Sequence, residues 1–202
     1  MNGVAATKAG VPVAAFASGA EWEAWLAPQP ATSPGVWIKF ARKGSGIACV
    51  TRQEAIDAAL CHGWIDGQLG RFDESHFLIR FTPRRPRSIW SAINRTRALA
   101  LIEEGRMQPH GLAEIEGARA DGRWEAAYAS QSKAGIPDDL QAALDADEAA
   151  TRFFATLDAA NRYAILHRLH QAKKPETRAR KLHDFIAMLG RGEMIHPAKK
   201  RL

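Results

Sequence analysis

The chain has 202 residues, of which 46% are hydrophobic and 25% are charged, and its formal net charge is +6 at pH 7. This composition is typical of a soluble globular protein and argues against a disordered, fibrous or disulfide-rich chain. Only Cys49 and Cys61 are present, and no apolar run reaches the length of a membrane span, so we expect a reduced, cytoplasmic protein.

The N-terminal half predicts a small sheet with flanking helices. The first 20 residues are small and apolar, are interrupted by Gly10 and Pro12, and lack the sustained apolar core of a signal peptide. We interpret them as a flexible tail, with a short leading strand as the alternative. Residues 20–26 then predict a short helix, and residues 36–41 predict a strand with apolar residues at alternate positions.

Stronger local signals follow in the middle of the chain. A capping box of sequence TRQE begins at Thr51 and opens a helix, and Gly63 suits the left-handed residue at the end of that helix. Residues 64–71 and 76–81 predict a β-hairpin. Pro83 ends its second strand, because proline cannot donate a ladder hydrogen bond.

The rest of the chain is predicted to be helical. Ser88 is expected to cap a helix that buries Ile89, Ala92, Ile93, Leu99 and Ala100. Further helices are expected over residues 112–120, 138–144, 148–157, 159–172 and 175–189. The fold class is therefore α+β, a sheet of about three strands with flanking helices, followed by a helical segment. The predicted boundaries are 1–20 for the tail, 21–130 for the α+β domain and 131–202 for a helical C-terminal module.

Arginines are concentrated just after the predicted hairpin. The stretch from Leu78 to Arg97 contains no Asp or Glu and carries Arg80, Arg84, Arg85, Arg87, Arg95 and Arg97. Because like charges repel, this cluster indicates a surface that meets a carboxylate or phosphate group. The prolines of the PRRPRS run hold its backbone extended, so its arginines are preorganised. An equally open alternative is that they pair with the acidic residues of the helical segment.

The preceding GWIDG motif places Trp64 and Asp66 on one face of a strand. If Trp64 faces the core, the Asp66 carboxylate is drawn toward it and needs a partner. The arginines after Phe81 are the nearest candidates in the sequence. We therefore expect an Asp66–arginine pair that braces the hairpin, a structural role rather than a catalytic one.

Several motifs together resemble one bacterial family. They are GWIDG at 63–67, FTPRRPRSIWS at 81–91 with Asn94 after it, the EEGRMQPHG run that ends at Gly111, DGRW at 121–124, and AKKPETRARKL at 172–182. The chain resembles the YdeI/OmpD-associated, or bacteriocin-protection, family. The resemblance implies a fold and an association with resistance to bacteriocins or cationic peptides. It carries over no catalytic residue.

These observations favour a non-enzymatic binding protein whose arginine and tryptophan surface binds a protein partner or a small anionic ligand. Because the protein is itself basic, protection against cationic peptides would be indirect. The predicted ligand-binding residues are Trp64, Asp66, Arg80, Arg84, Arg85, Arg87, Ser88, Trp90 and Asn94, and a secondary anion contact is predicted at Arg178 and Lys181. The alternative is a nucleic-acid-binding protein that uses the basic central motif and the basic tail.

The hypothesis that the protein is an enzyme has less support in the sequence than the two binding hypotheses. Cys61 and His62 are adjacent, so on a helix their side chains diverge and cannot form a nucleophile–base pair. His167 and His170 have the spacing to share a metal ion, but no third ligand lies near them in the sequence. We expect no cofactor, no metal and no catalytic residue.

Overall fold

The computed structural model describes residues 6–129 and 135–197, and these residues form five strands and eight helices. The α+β class predicted from the sequence is confirmed. The chain divides into two units, residues Met1–Ala127 (unit 1) and Tyr128–Leu202 (unit 2). No helix in the described part of the chain is long and apolar enough to cross a membrane.

The sheet of unit 1 has five strands where the sequence predicts about three. They are β1 (Ala6–Lys8), β2 (Val11–Ala14), β3 (Val36–Ala41), β4 (Trp64–Arg71) and β5 (His76–Pro83), in the spatial order β1-β2-β3-β5-β4. The β2–β3 pair is parallel and the other pairs are antiparallel. The two additional strands lie in the segment interpreted as a flexible tail. They are too short to show a period-2 pattern in the sequence. Pairing of β2 with β3 and of β1 with β2 stabilises them.

Four helices belong to unit 1: α1 (Gly19–Leu26), α2 (Arg52–Cys61), α3 (Ala92–Glu103) and α4 (Pro109–Ala120). The capping box that opens α2 is confirmed. The Glu54 amide donates to Thr51 Oγ1 at 3.2 Å, and the Thr51 amide donates to Glu54 Oε2 at 2.8 Å. Gly63 follows α2 with φ of +73°, as its position in the sequence predicts.

The main core of unit 1 packs α1 and α2 on one face of the sheet. Trp22 is fully buried, stacks on Trp25 with ring centroids 5.3 Å apart, and donates from Nε1 to the Ala55 carbonyl at 3.1 Å. Trp25 meets Trp64 edge-on at 5.8 Å. Trp64 therefore faces the core, and the first residues of the GWIDG motif contribute to packing.

Helix α3 starts later and buries a different face than the sequence predicts. Ser91, not Ser88, is the N-cap, and its Oγ accepts from the Asn94 amide at 3.1 Å. Ile93 and Leu99 are 62% and 40% exposed, whereas Ala98 and Leu101 are buried against α2 and α4. Packing against α2 and α4, which the sequence of this segment does not reveal, decides which face of the helix is buried.

The sheet of unit 1 is strongly curved. Lys8 Nζ in β1 donates to the Arg71 carbonyl in β4 at 3.4 Å, although these strands form opposite edges of the sheet. Four strand spacings in a flat sheet would separate the edges by about 19 Å. The curvature covers a small second core on the face of the sheet that points away from α1 and α2. This core is formed by Val11, Val13, Trp37 and Leu78.

Unit 2 is helical over its described residues, as the sequence predicts. Its helices are α5 (Asp138–Asp145), α6 (Glu148–Thr156), α7 (Ala159–His170) and α8 (Pro175–Gly190). Asp147 and Asp158 cap α6 and α7, since their carboxylates accept from amides at the third position of each helix. The core contains Leu140, Leu144, Phe154, Ile165, Leu169 and Leu189.

Candidate functional site

Arg84, in the middle of the predicted arginine surface, is buried. It lies directly after β5 and is 5% exposed, and its amide donates to the Gly63 carbonyl at 2.9 Å. Its guanidinium carbon lies 3.6 Å from the centroid of the Trp90 ring, and its Nη1 donates to the Ile89 carbonyl at 3.4 Å. A guanidinium over an indole face is attracted by the ring's quadrupole, more strongly when water is excluded. We call this pair the Arg84–Trp90 bracket.

The bracket encloses a tight turn between Arg85 and Ser88. The Ser88 amide donates to the Arg85 carbonyl at 2.8 Å, and the Arg85 amide donates to Ser88 Oγ at 2.9 Å. Arg123 of the DGRW motif donates from Nη1 to the Ser88 carbonyl at 2.9 Å. Ser88 therefore closes a turn instead of capping a helix. Because three hydrogen bonds and the bracket hold it, this turn is preorganised.

Exposed side chains project from this fixed turn and from the residues that follow it. Arg85 and Arg87 are exposed, and neither forms an ion pair with a described residue of unit 1. Ile89 and Ile93 are 39% and 62% exposed. We call Arg85, Arg87, Ile89 and Ile93 the Arg85–Ile93 surface. It combines permanent positive charge with apolar area.

A small cavity lies on the inner side of the bracket, lined among others by Trp64, Arg84, His62, His110 and Glu114. Its volume of about 30 Å³ suits roughly one water molecule. Burial raises the pKa of Glu114 against the opposing charges of Arg84 and Arg123, and it lowers the pKa of His62. The sequence analysis considered His62 only as a partner of Cys61 and did not single out His110 or Glu114. The one sequence signal for this cavity is that His62 directly precedes GWIDG. The cavity is too small for an organic substrate.

Three of the predicted ligand-binding residues lie apart from the bracket. Asp66 Oδ2 is 3.5 Å from Arg52 Nη2 of α2, so the expected pairing with an arginine after Phe81 is wrong. The reason is that α2 covers the face of β4 that carries Asp66. Arg80 donates from Nη2 to the Pro34 carbonyl at 3.1 Å, and Asn94 belongs to the first turn of α3.

The structure thus brings together part of the predicted constellation: Trp64, Arg84, Arg85, Arg87, Ser88 and Trp90. Trp64 and Trp90 are 2% and 1% exposed. Trp90 and Arg84 flank the turn and hold it in place, whereas Trp64 packs in the main core. A ligand that approaches this part of the chain meets Arg85 and Arg87 first.

Comparison with known families matches the two parts of the chain separately. Residues 14–114, half of the chain, match the family model described as Domain of unknown function (DUF8412). The chain belongs to this family. The DUF8412 match includes strands β3, β4 and β5, the GWIDG motif, the arginine-rich turn and α3.

A second family model, described as Bacteriocin-protection, YdeI or OmpD-Associated, matches residues 133–192. The resemblance recognised in the sequence is therefore confirmed over the helical segment, whereas the central motifs fall within the DUF8412 match. No curated protein and no solved structure matches the chain.

The predicted secondary anion contact lies in this C-terminal segment. Arg178 donates from Nε and Nη2 to both carboxylate oxygens of Asp139, at 2.6 and 2.8 Å, and from Nη1 to the Leu169 carbonyl at 2.7 Å. Lys181 Nζ donates to the Arg168 carbonyl at 3.4 Å. Arg178 thus joins its own helix, α8, to α5 and α7, which favours a structural role for it.

We expect Arg178→Ala to lower the free energy of unfolding by about 1–2 kcal/mol, because it removes a bidentate pair that solvent partly screens. Asp139 is 39% exposed. The hydrogen bonds from Arg178 hold the pKa of Asp139 below its ordinary value. The stabilisation is therefore present above about pH 4 and is lost as pH falls through the lower folded-state pKa. Urea unfolding at several pH values tests this. The exposed Arg180→Ala is the control, and equal stability of both variants contradicts the prediction.

The histidine pair of α7 also has a structural setting. His167 contacts the rings of Tyr128 and Tyr163, with centroids 4.8 and 5.5 Å away, and burial lowers its pKa. Within residues 6–129 and 135–197, no three His, Cys, Asp or Glu side chains are grouped as a metal site would require.

Proposed function

We propose that this protein is a non-enzymatic binding protein that docks an acidic segment of a partner protein on the Arg85–Ile93 surface. One observation carries the proposal. Two exposed arginines project from a turn that the Arg84–Trp90 bracket and three hydrogen bonds hold in place. A fixed turn loses little conformational entropy when a ligand binds, so charge-assisted hydrogen bonds from its arginines retain most of their strength.

The shape and composition of the surface favour a protein over a small ligand. Small-molecule sites are concave and typically hold 300–1,000 Å³, whereas the cavity beside Arg84 holds about 30 Å³. Arginine is enriched among residues that dominate protein–protein binding energy, and apolar neighbours such as Ile89 and Ile93 add buried area. The acidic chemistry of the partner follows from charge complementarity.

Nucleic-acid binding is the second candidate, supported by the same exposed arginines. Binding of single strands usually adds base stacking on exposed aromatic rings. The two tryptophans of the motif, Trp64 and Trp90, are buried and do not offer such a platform. The basic tail invoked for this reading includes residues 198–202, which lie outside the described residues. The buried tryptophans favour the protein partner.

The family description links the C-terminal segment to bacteriocin protection. A positively charged surface repels cationic peptides, so we propose that protection acts through the acidic partner instead of through capture of the peptide. A bacterial strain lacking this protein, complemented with either the native chain or Arg85→Ala/Arg87→Ala, tests the link by survival under a cationic peptide. Equal survival of both complemented strains contradicts it.

The binding proposal is tested with a labelled poly-L-glutamate peptide, followed by fluorescence anisotropy at low and physiological salt. We expect Arg85→Ala/Arg87→Ala to weaken binding by about tenfold, since each exposed contact contributes up to about 1 kcal/mol. Raising the salt concentration should also weaken binding.

The matched control is Lys173→Ala/Arg180→Ala, which removes two exposed charges from unit 2. It should bind poly-L-glutamate as the native chain does. Equal losses in both double variants would show that only net charge matters and would overturn the proposal. If single-stranded RNA binds far more tightly than poly-L-glutamate, nucleic-acid binding becomes the better supported function.

A further inference from the structure

A second basic site lies at the other end of β5. Arg42 directly follows β3, Arg52 opens α2, and Arg71 ends β4. They line two adjoining cavities of about 330 and 590 Å³ that share Arg42, Arg52 and Phe77. Both volumes fall within the range of small-molecule sites. We call this concavity the three-arginine groove; the predictions from the sequence did not include it.

The groove carries uncompensated positive charge. Only Arg52 has an acidic partner, Asp66, at 3.5 Å. The guanidinium groups of Arg42 and Arg71 form neither an ion pair nor a hydrogen bond with any residue in the described ranges 6–129 and 135–197. Exposed cations that converge on a concave, partly apolar site raise the local concentration of anions.

The pairing of the strands explains why these arginines converge. Phe77 of β5 lies opposite Phe40 of β3 and opposite Arg71 of β4. Because alternate residues of a strand share a face, Arg42 lies on the face that carries Phe40, and all four residues lie on the same side of the sheet. The two arginines therefore flank β5 at two strand spacings, about 10 Å, which the reach of two arginine side chains covers.

The floor of the groove is apolar. Phe77 stacks on Phe40 with ring centroids 5.6 Å apart and is only partly buried. Leu69, at the rim, is 71% exposed, and Ile47 in the loop after β3 is 45% exposed. A register irregularity in β4 between Asp66 and Leu69 places Leu69 and Arg71 on the groove side of the strand. The groove thus offers an apolar floor beneath a cationic rim.

We propose that the three-arginine groove binds a small organic anion with an aromatic or other apolar body and a carboxylate or phosphate group. The apolar body lies on Phe77 and Leu69, and the acidic group lies between Arg42 and Arg71. Arginine suits both acids because its planar fork donates two parallel hydrogen bonds to either. The groove and the Arg85–Ile93 surface occupy opposite ends of β5, so the two proposals stand or fall separately.

The test uses the full-length protein and three probes followed by calorimetry: naphthyl phosphate, naphthoate and inorganic phosphate. We expect one or both naphthyl anions to bind and inorganic phosphate to bind about tenfold more weakly or not at all, because it lacks the apolar body. The stronger naphthyl probe identifies the preferred acid. Equal affinity for inorganic phosphate, or no binding of either naphthyl anion, overturns the proposal.

Variants locate the site. Arg42→Gln/Arg71→Gln should weaken naphthyl-anion binding by about tenfold or more, since it removes two charge-assisted hydrogen bonds. Lys173→Ala/Arg180→Ala removes the same charge from unit 2, outside both proposed sites, and should leave this binding unchanged. Circular dichroism confirms that each variant is folded. Equal affinity of Arg42→Gln/Arg71→Gln and the native chain overturns the assignment.

Cys49 provides an independent readout, because it lines the smaller cavity and is only partly buried. The other thiol, Cys61, is fully buried, and burial raises its pKa to about 11, so it reacts poorly. We expect a saturating concentration of the naphthyl anion to slow the reaction of Cys49 with dithiobis(nitrobenzoate) in the native chain. The same anion should not slow the reaction in Arg42→Gln/Arg71→Gln. Cys49→Ser identifies the reacting thiol. An unchanged rate in the native chain overturns the placement of the ligand.

Discussion

Arg97→Met is expected to lower the free energy of unfolding by about 3–5 kcal/mol at neutral pH, because it leaves a buried carboxylate without its partner. Asp57 of α2 is 6% exposed. It accepts hydrogen bonds from Arg97 Nε and Nη2 of α3, both at 2.8 Å, and from Gln53 Nε2 at 2.8 Å. Methionine keeps much of the apolar packing of the arginine stem while it removes the charge. Urea denaturation measures the effect.

The same guanidinium supplies the control. Arg97 Nη1 also donates to Glu104 at 2.8 Å, but that carboxylate is 41% exposed. Glu104→Gln should therefore cost no more than about 1 kcal/mol. A loss in Glu104→Gln as large as that in Arg97→Met would show that burial of Asp57 does not decide the effect.

The loss in Arg97→Met should also depend on pH. Burial by itself raises the pKa of Asp57, but hydrogen bonds from Arg97 and Gln53 outweigh it and hold the pKa below its ordinary value. The stabilising contribution is therefore present above about pH 4 and is lost as pH falls through the lower folded-state pKa. We expect the difference between native chain and variant to shrink in acid. A difference that is constant with pH contradicts this.

Gly111→Ala is expected to lower the free energy of unfolding by about 3 kcal/mol, the upper end of the usual cost of overpacking. Gly111 is buried where α4 crosses the end of α2. A methyl group there would overlap the Cys61 carbonyl oxygen and would lie 2.8 Å from the Leu60 carbonyl oxygen. Backbone atoms cannot move aside as a flexible side chain can, so the helices must separate. Thermal and urea unfolding both report the change.

Gly117→Ala in the same helix is the matched control. Its added methyl group would meet only Arg123 Nη2, at 3.9 Å. Alanine is favoured over glycine inside a helix by roughly 0.5–1 kcal/mol, so this variant should be as stable as the native chain or more stable. Destabilisation of both variants would point to α4 in general and not to the crossing at Gly111.

Local signals in the sequence predicted elements that depend on a few neighbouring residues. Thr51 and Gly63 bound α2 in the structure as they do in the sequence, and strand β3 has the predicted limits. Capping hydrogen bonds and alternation are formed within one segment, so they can be recognised without knowing what packs against it. The predicted start and buried face of α3 were wrong for the opposite reason. Contacts with α2 and α4 determine which face is buried, and the sequence of the segment alone does not contain that information.

The candidate site shows the same division. The arginine-rich run could be recognised in the sequence, but the sequence did not show which of its arginines are buried and which are exposed. Arg84 is buried because its position directly after β5 places its guanidinium on the Trp90 ring. Arg85 and Arg87, which follow in the turn, are exposed to solvent. The predicted partner of Asp66 was wrong because it was chosen by distance along the sequence. In the structure, α2 packs against β4 and places Arg52 beside Asp66.

By itself, the amino-acid sequence determined the α+β class, the central hairpin, the helical C-terminal segment and the family resemblance confirmed over residues 133–192. These depend on short-range periodicity, caps and contiguous motifs. Only the tertiary structure decided the number of strands, the exposed part of the arginine cluster and the three-arginine groove. The groove assembles residues from the ends of β3, β4 and α2, and only strand pairing and helix packing bring such distant positions together.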